Sequence, residues 1–192
     1  MRITVFCASS RKVHNSYYQA VESVAERLVT SGAEVVYGGG GDGLMGHLAD
    51  TVIAADGRIE GVIPQFMKDV EWQHEGLHSI RIVDDMRERK RLLLEGSDAV
   101  VALPGGCGTL EELLEAMTLK RLGQYLKPIV VVNVNGFYDG LIQQIGRSIA
   151  DQFMDNRHAD LWRLVDDPTL VVEAIEDSPA WGEDAIEFAA VK

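Results

Sequence analysis

The chain has 192 residues, 46% hydrophobic and 25% charged, ordinary values for one globular domain that can bury a core without disulfide or metal staples. Thirty Asp and Glu stand against 18 Lys and Arg; the formal net charge of −12 repels nucleic acid polymers and anionic membrane surfaces. With no apolar run of the ~18 residues a span needs, no secretory pattern after Met1, and two cysteines (Cys7, Cys107) that fit neither a disulfide framework nor a zinc spacing, a soluble cytoplasmic protein is expected.

Apolar, β-branched residues predict a first strand over 2–8. Tyr17, Val21, Val24, Ala25 and Leu28 recur at helical spacing and predict a helix over 14–31, stopped by Gly32. A short strand over 34–37 runs into four glycines. A small-residue helix follows over 44–55, then a strand over 59–63 that ends before Pro64. A strand is predicted over 79–83 and a charged helix over 84–96. The run 99–103 is wholly apolar, the mark of a central strand covered on both faces. A helix over 109–122, a buried strand over 129–134 and a helix over 138–153 come next. A last strand over 161–165 and a last helix over 168–175 close the series. Strands alternating with helices predict an α/β fold: one parallel sheet with helices on both faces, a single domain over 1–176. The acidic segment 177–192 has too little periodicity to assign structure.

In such sheets ligands sit beyond the carboxyl ends of the strands, and two of those positions are glycine-rich. The first is Gly38-Gly39-Gly40-Gly41-Asp42-Gly43-Leu44-Met45-Gly46, which contains G-x-G-x-x-G starting at Gly38 and again at Gly41. Glycines let backbone approach a ligand closely, and a following helix offers free amides to an anion. A dinucleotide site is disfavoured, because the loop follows the second strand and Glu60 lies at the beginning, not the end, of the next one. A tight structural turn without a ligand is the competing reading.

The second is Pro104-Gly105-Gly106-Cys107-Gly108-Thr109-Leu110-Glu111-Glu112. Glycines between a strand and a helix make a nest of amides suited to phosphate, and Thr109 adds a hydroxyl. Thr109 and Glu112 also have the spacing of a capping box, so Glu112 reads equally as a helix cap or as a catalytic carboxylate. Cys107 has no adjacent histidine to act as its base and reads as a pocket-lining thiol rather than a nucleophile.

The cluster Met86-Arg87-Glu88-Arg89-Lys90-Arg91 is a local exception to the acidic composition. It lies just before the buried strand that leads to the second glycine loop, which points Arg89 or Lys90 at phosphate rather than leaving a solvated helix face. His74-Glu75-Gly76-Leu77-His78 matches H-E-x-x-H, but Gly76 and the strand that follows argue for a loop, so no metal site is expected there. His14, His47 and His158 are isolated.

Taken together, the Gly38–Gly46 run, Met86 with its Arg89-Lys90 pair, and the P-G-G-x-G-T-x-x-E pattern of 104–112 resemble the LOG family, cytokinin riboside 5′-monophosphate phosphoribohydrolases long labelled as lysine decarboxylases. Val5-Phe6-Cys7-Ala8-Ser9-Ser10 and Gly61-Val62-Ile63-Pro64 fit as well, and the resemblance covers roughly residues 3–140. It implies a Rossmann-like fold and a homodimer. It implies hydrolysis of the N-glycosidic bond of a purine nucleoside 5′-monophosphate, with or without an N6 substituent, to free base and ribose 5-phosphate, with AMP a candidate substrate and no cofactor or metal. Arg89 and Glu112 fall on the family's catalytic pair. Gly105, Gly106, Gly108 and Thr109 fall on its phosphate loop, and Gly39, Gly40, Met86, Lys90 and Cys107 complete the expected substrate-binding set. Arg87, Cys107, Gly41 and Leu119 depart from the family pattern near the expected base pocket.

Breaking an N-glycosidic bond builds positive charge on the ribose, which a carboxylate such as Glu112 stabilises while it orients water. Arg89 would support the leaving base or hold the phosphate. Two other functions fit the same fold: a binding protein for a nucleotide or phosphorylated cofactor without hydrolysis, and a pyridoxal-phosphate decarboxylase, which would need Lys90 or Lys120 as its Schiff-base lysine.

Overall fold

The computed structural model describes residues 1–70 and 72–191. Its elements alternate as β1 (Arg2–Phe6), α1 (Asn15–Thr30), β2 (Glu34–Tyr37), α2 (Gly43–Ala54), β3 (Arg58–Pro64), α3 (Gln65–Lys68), β4 (Ser79–Val83), α4 (Met86–Leu94), β5 (Ala99–Ala102), α5 (Cys107–Arg121), β6 (Ile129–Val132), α6 (Asp139–Ala150), β7 (Arg163–Val165) and α7 (Val171–Glu176). The seven strands form one parallel sheet in the order β4-β3-β2-β1-β5-β6-β7, so the chain reverses direction of build between β1 and β5. That switch point opens a crevice at the carboxyl ends of β1 and β5.

Alternation along the strands divides the core. Val5, Val35, Ile59, Val101 and Val130 pack beneath α1, α2 and α7 on one face. Phe6, Val36, Val62, Val100 and Val131 pack beneath α4, α5 and α6 on the other. Leu113 of α5 is fully buried in that second layer; truncation of such a leucine costs about 2–5 kcal/mol, which pins the helix one residue from Glu112.

The predicted sheet and its helices are present, with shifts at the boundaries. The charged helix starts at Met86 because Asp85 caps it, its carboxylate accepting the Arg87 and Glu88 amides. The strand expected to reach 134 ends at Val132, where the Asn133 side-chain oxygen accepts the Tyr138 amide and turns the chain. The helix expected to run to 153 ends at Ala150, and Gln152 sits at φ +63°. The last strand begins at Arg163 rather than 161, and the last helix divides into a 3₁₀ turn (Pro168–Leu170) and α7.

The acidic segment is not loose. Residues Glu183–Phe188 form a 3₁₀ turn that buries Ala185, and Trp181 Nε1 donates to the Lys120 carbonyl at 2.7 Å. Phe188 stacks on His158 and receives the Arg157 guanidinium over its ring at 3.6 Å. Aromatic anchors spaced through a polar segment hold it down without leaving a periodic signal. No helix among the described residues is long and apolar enough to cross a membrane.

Candidate active site

A cleft of about 550 Å³ opens at the switch point. Its walls come from the loop after β1 (Cys7, Ala8, Ser9, Ser10), the loop after β2 (Gly38, Gly40, Asp42), Met45 of α2, the β5–α5 junction and α4. A hollow of similar size at the amino ends of the strands, between Met1, Gly32 and Arg58, contains none of the motif residues.

Arg89 and Glu112 meet inside this cleft. Arg89 Nη1 donates to Glu112 Oε1 at 2.6 Å, with both residues buried. Arg89 Nε donates to the Val62 carbonyl at 3.1 Å and Nη2 to the Gly38 carbonyl at 3.4 Å. The guanidinium is therefore fixed at three points, by β3, by the loop that follows β2 and by α5. Burial raises the Glu112 carboxyl above its ordinary range, and Arg89 pulls it back toward ionisation. Glu112 Oε2 has no hydrogen-bond partner among the described residues, and Glu112 lines the cleft.

The capping-box expectation fails for a geometric reason. Helix α5 begins at Cys107, with Gly106 as its N-cap and no side-chain cap, so Thr109 lies inside the first turn and Glu112 a full turn beyond the cap. The first intrahelical backbone bond after the cap runs from Leu110 N–H to Gly106 O. The amides of Cys107, Gly108 and Thr109 precede it and face the cleft end of the helix, where the dipole is positive. Thr109 is 4% exposed, lines the cleft, and its hydroxyl has no partner among the described residues.

The two glycine loops do different work. In the first, the glycines make room for protein. A Cβ on Gly38 would run into the Arg89 guanidinium, one on Gly46 into the Gly41 backbone, and one on Gly43, at φ +59°, into the Ser9–Ser10 backbone. The Gly41 amide is already spent on the Trp72 carbonyl at 2.8 Å. The tight-turn reading describes this loop better than an open cradle. In the second loop, a Cβ on Gly106 or Gly108 would meet only open space. No protein atom demands glycine there, and the exposed backbone leaves room for a ligand to approach. Gly105 differs: a Cβ there would strike the Thr109 side chain.

The other expected residues divide. Met86, Cys107 and Gly40 line the cleft, whereas Gly39, at φ +77°, is buried against β3 and gives its carbonyl to the His74 amide. Lys90 does not line the cleft; it pairs with Glu111 and, at 2.6 Å, with Glu115. Lys120 is buried at the far end of α5 near Trp181. No lysine among the described residues lines the cleft, so neither Lys90 nor Lys120 is placed to hold pyridoxal phosphate there. His74 pairs with Asp50 at 3.1 Å and accepts the Gly76 amide, and the segment is a loop. No group of three metal-binding side chains exists among the described residues. Sequence reasoning missed Met45, Ile63, Met67 and Trp72, which give the cleft an apolar wall. For Met45, Met67 and Trp72 the signal is a large apolar side chain in the segments that follow β2 and β3; Ile63, inside β3, reads as an ordinary core residue.

The model of the family described as possible lysine decarboxylase matches residues 45–175. A protein of Oryza sativa subsp. japonica named "Probable cytokinin riboside 5′-monophosphate phosphoribohydrolase LOGL9" is 39% identical over 176 residues, 92% of this chain and 78% of its own length. Cytokinin riboside 5′-monophosphate phosphoribohydrolase LOG3 of Arabidopsis thaliana is 38% identical over 92% of this chain and 82% of its own. Among solved structures, a molybdenum cofactor binding protein of Rippkaea orientalis superposes with a TM-score of 0.68 at 19% identity, over 91% of this chain and 94% of its own, a likeness of fold.

Proposed function

The chain belongs to the LOG family, and from that membership we propose that it hydrolyses the N-glycosidic bond of a purine nucleoside 5′-monophosphate, releasing free base and ribose 5-phosphate. The observation that carries the reading is the placement of Glu112, buried and ion-paired, in the same cleft as the free amides at the start of α5.

In this reading the 5′-phosphate sits on the Cys107, Gly108 and Thr109 amides and the Thr109 hydroxyl. The helix then holds the ribose one turn further along, against Glu112. Remote binding of this kind orients the sugar before reaction. As the C1′–N9 bond breaks, its electron pair leaves with the base and positive charge spreads over the ribose ring. Glu112 stabilises that charge and orients the water whose oxygen bonds to C1′. The proton lost by the water goes to the departing base. Arg89 stays protonated and acts as fixed charge rather than proton donor, holding Glu112 ionised against the cost of burial. Met45, Ile63, Met67, Met86 and Trp72 form the surface on which the base lies.

The proposal includes a cytoplasmic homodimer acting on a small mononucleotide, with AMP and an N6-prenylated AMP as candidate substrates. The net charge of −12 supports a small ligand in a local site over a nucleic acid polymer. Incubation with each nucleotide, followed by chromatography of free base and ribose 5-phosphate, tests the activity. Nucleotide-dependent melting shifts without base release would make the protein a binder instead.

A further inference from the structure

Three carboxylates of α5 face two cations of α4. Arg89 takes Glu112, and Lys90 takes Glu111 and Glu115. Glu111 and Glu115 are four residues apart and share one side of the helix, and Glu112 is turned about 100° from Glu111. Lys90, with its side chain 17% exposed, lies with Glu112 and Glu115 around a small crevice that Phe6, Leu93 and Leu94 complete. Glu111 itself lines the cleft beside the α5 amides.

We propose that Lys90 is a positioning residue for the Arg89–Glu112 pair: by engaging Glu111 and Glu115 it keeps both from competing for Arg89 and neutralises a carboxylate that lines the cleft. It acts through those partners and not by touching substrate. The inference rests on the proposed hydrolysis for its kinetic test, but the charge arrangement belongs to the protein alone. The groups facing Glu112 are Arg89 and Lys90 from α4, Cys7 from the loop after β1, and Glu111 and Glu115 from its own helix. Lys90 favours the ionised Glu112 and Glu111 opposes it, so removing either moves the Glu112 titration in opposite directions.

Lys90→Met is expected to lower kcat about tenfold, the scale of coupling within a charge network, and to shift the acid limb of the pH–rate profile upward. Lys90→Arg restores both. Lys90→Met combined with Glu111→Gln recovers much of kcat, because the competing carboxylate has gone with its cation. A substrate-contacting lysine would instead show a raised KM, an unmoved acid limb and no rescue by Glu111→Gln, and that result overturns the proposal. The second measurement needs no turnover: the carboxyl carbon of Glu112, in ¹³C-glutamate-labelled protein and assigned with Glu112→Gln, must titrate higher in Lys90→Met and lower in Glu111→Gln. An unmoved titration in both overturns the proposal. Should the wild type release no base, the hydrolysis reading fails and the titration still decides the role of Lys90.

Discussion

Arg89 and Glu112, on helices that follow β4 and β5, meet at 2.6 Å with side chains only 6% and 8% exposed. A buried pair of this kind is expensive to break from one side. Removing one partner leaves the other charged and without compensation, whereas replacing both together costs far less. The pair therefore ties the proposed catalytic carboxylate to the stability of the cleft.

Glu112→Ala should lose about 2–4 kcal/mol of transition-state stabilisation, the scale of a preorganised electrostatic group. It should also lose about 3–5 kcal/mol of stability, because Arg89 is left buried and unpaired. Base release and a denaturant titration read the two losses separately. Glu112→Gln, which can still accept from Arg89, should keep more of the stability than of the rate. Wild-type turnover in either variant would remove Glu112 from the mechanism.

Gly38→Ala and Gly108→Ala should behave oppositely. At Gly38 the added methyl displaces the Arg89 guanidinium, which two other bonds hold in place, so the rate should fall about tenfold or more. At Gly108 the methyl meets open space in the first turn of α5. Alanine there should stabilise the fold by about 0.5–1 kcal/mol while raising KM for the nucleotide. Paired melting curves and KM values check both.

Lys120 gives a pH signature. Burial pushes its amine down to about 8, with Arg163 adding to the effect. The unfolded chain then binds a proton that the folded chain lacks between pH 8 and the ordinary lysine value near 10.5. Stability from this group therefore rises with pH across that window and is lowest below it. Lys120→Met should flatten the rise and stabilise the protein at pH 7 by on the order of 3 kcal/mol. Chemical denaturation at pH 7, 8 and 10 measures it.

The thiols should separate cleanly. Cys107 is exposed at the start of α5, while Cys7 is buried and its thiol pushed well above the ordinary range by desolvation. A thiol reagent should count one group in the native protein and two in denaturant. Alkylation of Cys107 should abolish base release, and bound AMP should slow the alkylation. Modification of Cys107 with no effect on turnover would place the phosphate elsewhere.

Much of this architecture is readable from residue order. Apolar runs such as Ala99–Ala102 are complete within a few residues, so a buried parallel strand announces itself. The site was legible only as separate pieces. Whether Glu112 caps its own helix or pairs with Arg89 depends on where α5 begins, and a two-residue advance of that start decides it. Lys90 and Arg89 are indistinguishable in sequence, yet a turn of one helix position sends one to the cleft and the other to Glu111 and Glu115. The docking of the acidic segment rests on Trp181 and Phe188 meeting residues more than twenty positions away, which no local periodicity records.

Helix α5 is held at two points, by Glu112 on Arg89 and by the Lys120 carbonyl on Trp181. One residue inserted between those points would rotate one attachment relative to the other by about 100°, and both could not be kept. The spacing from Glu112 to Lys120 is thus frozen in length. Natural or engineered variation along it must come as exchange of side chains, with gains and losses of residues confined to the connections outside.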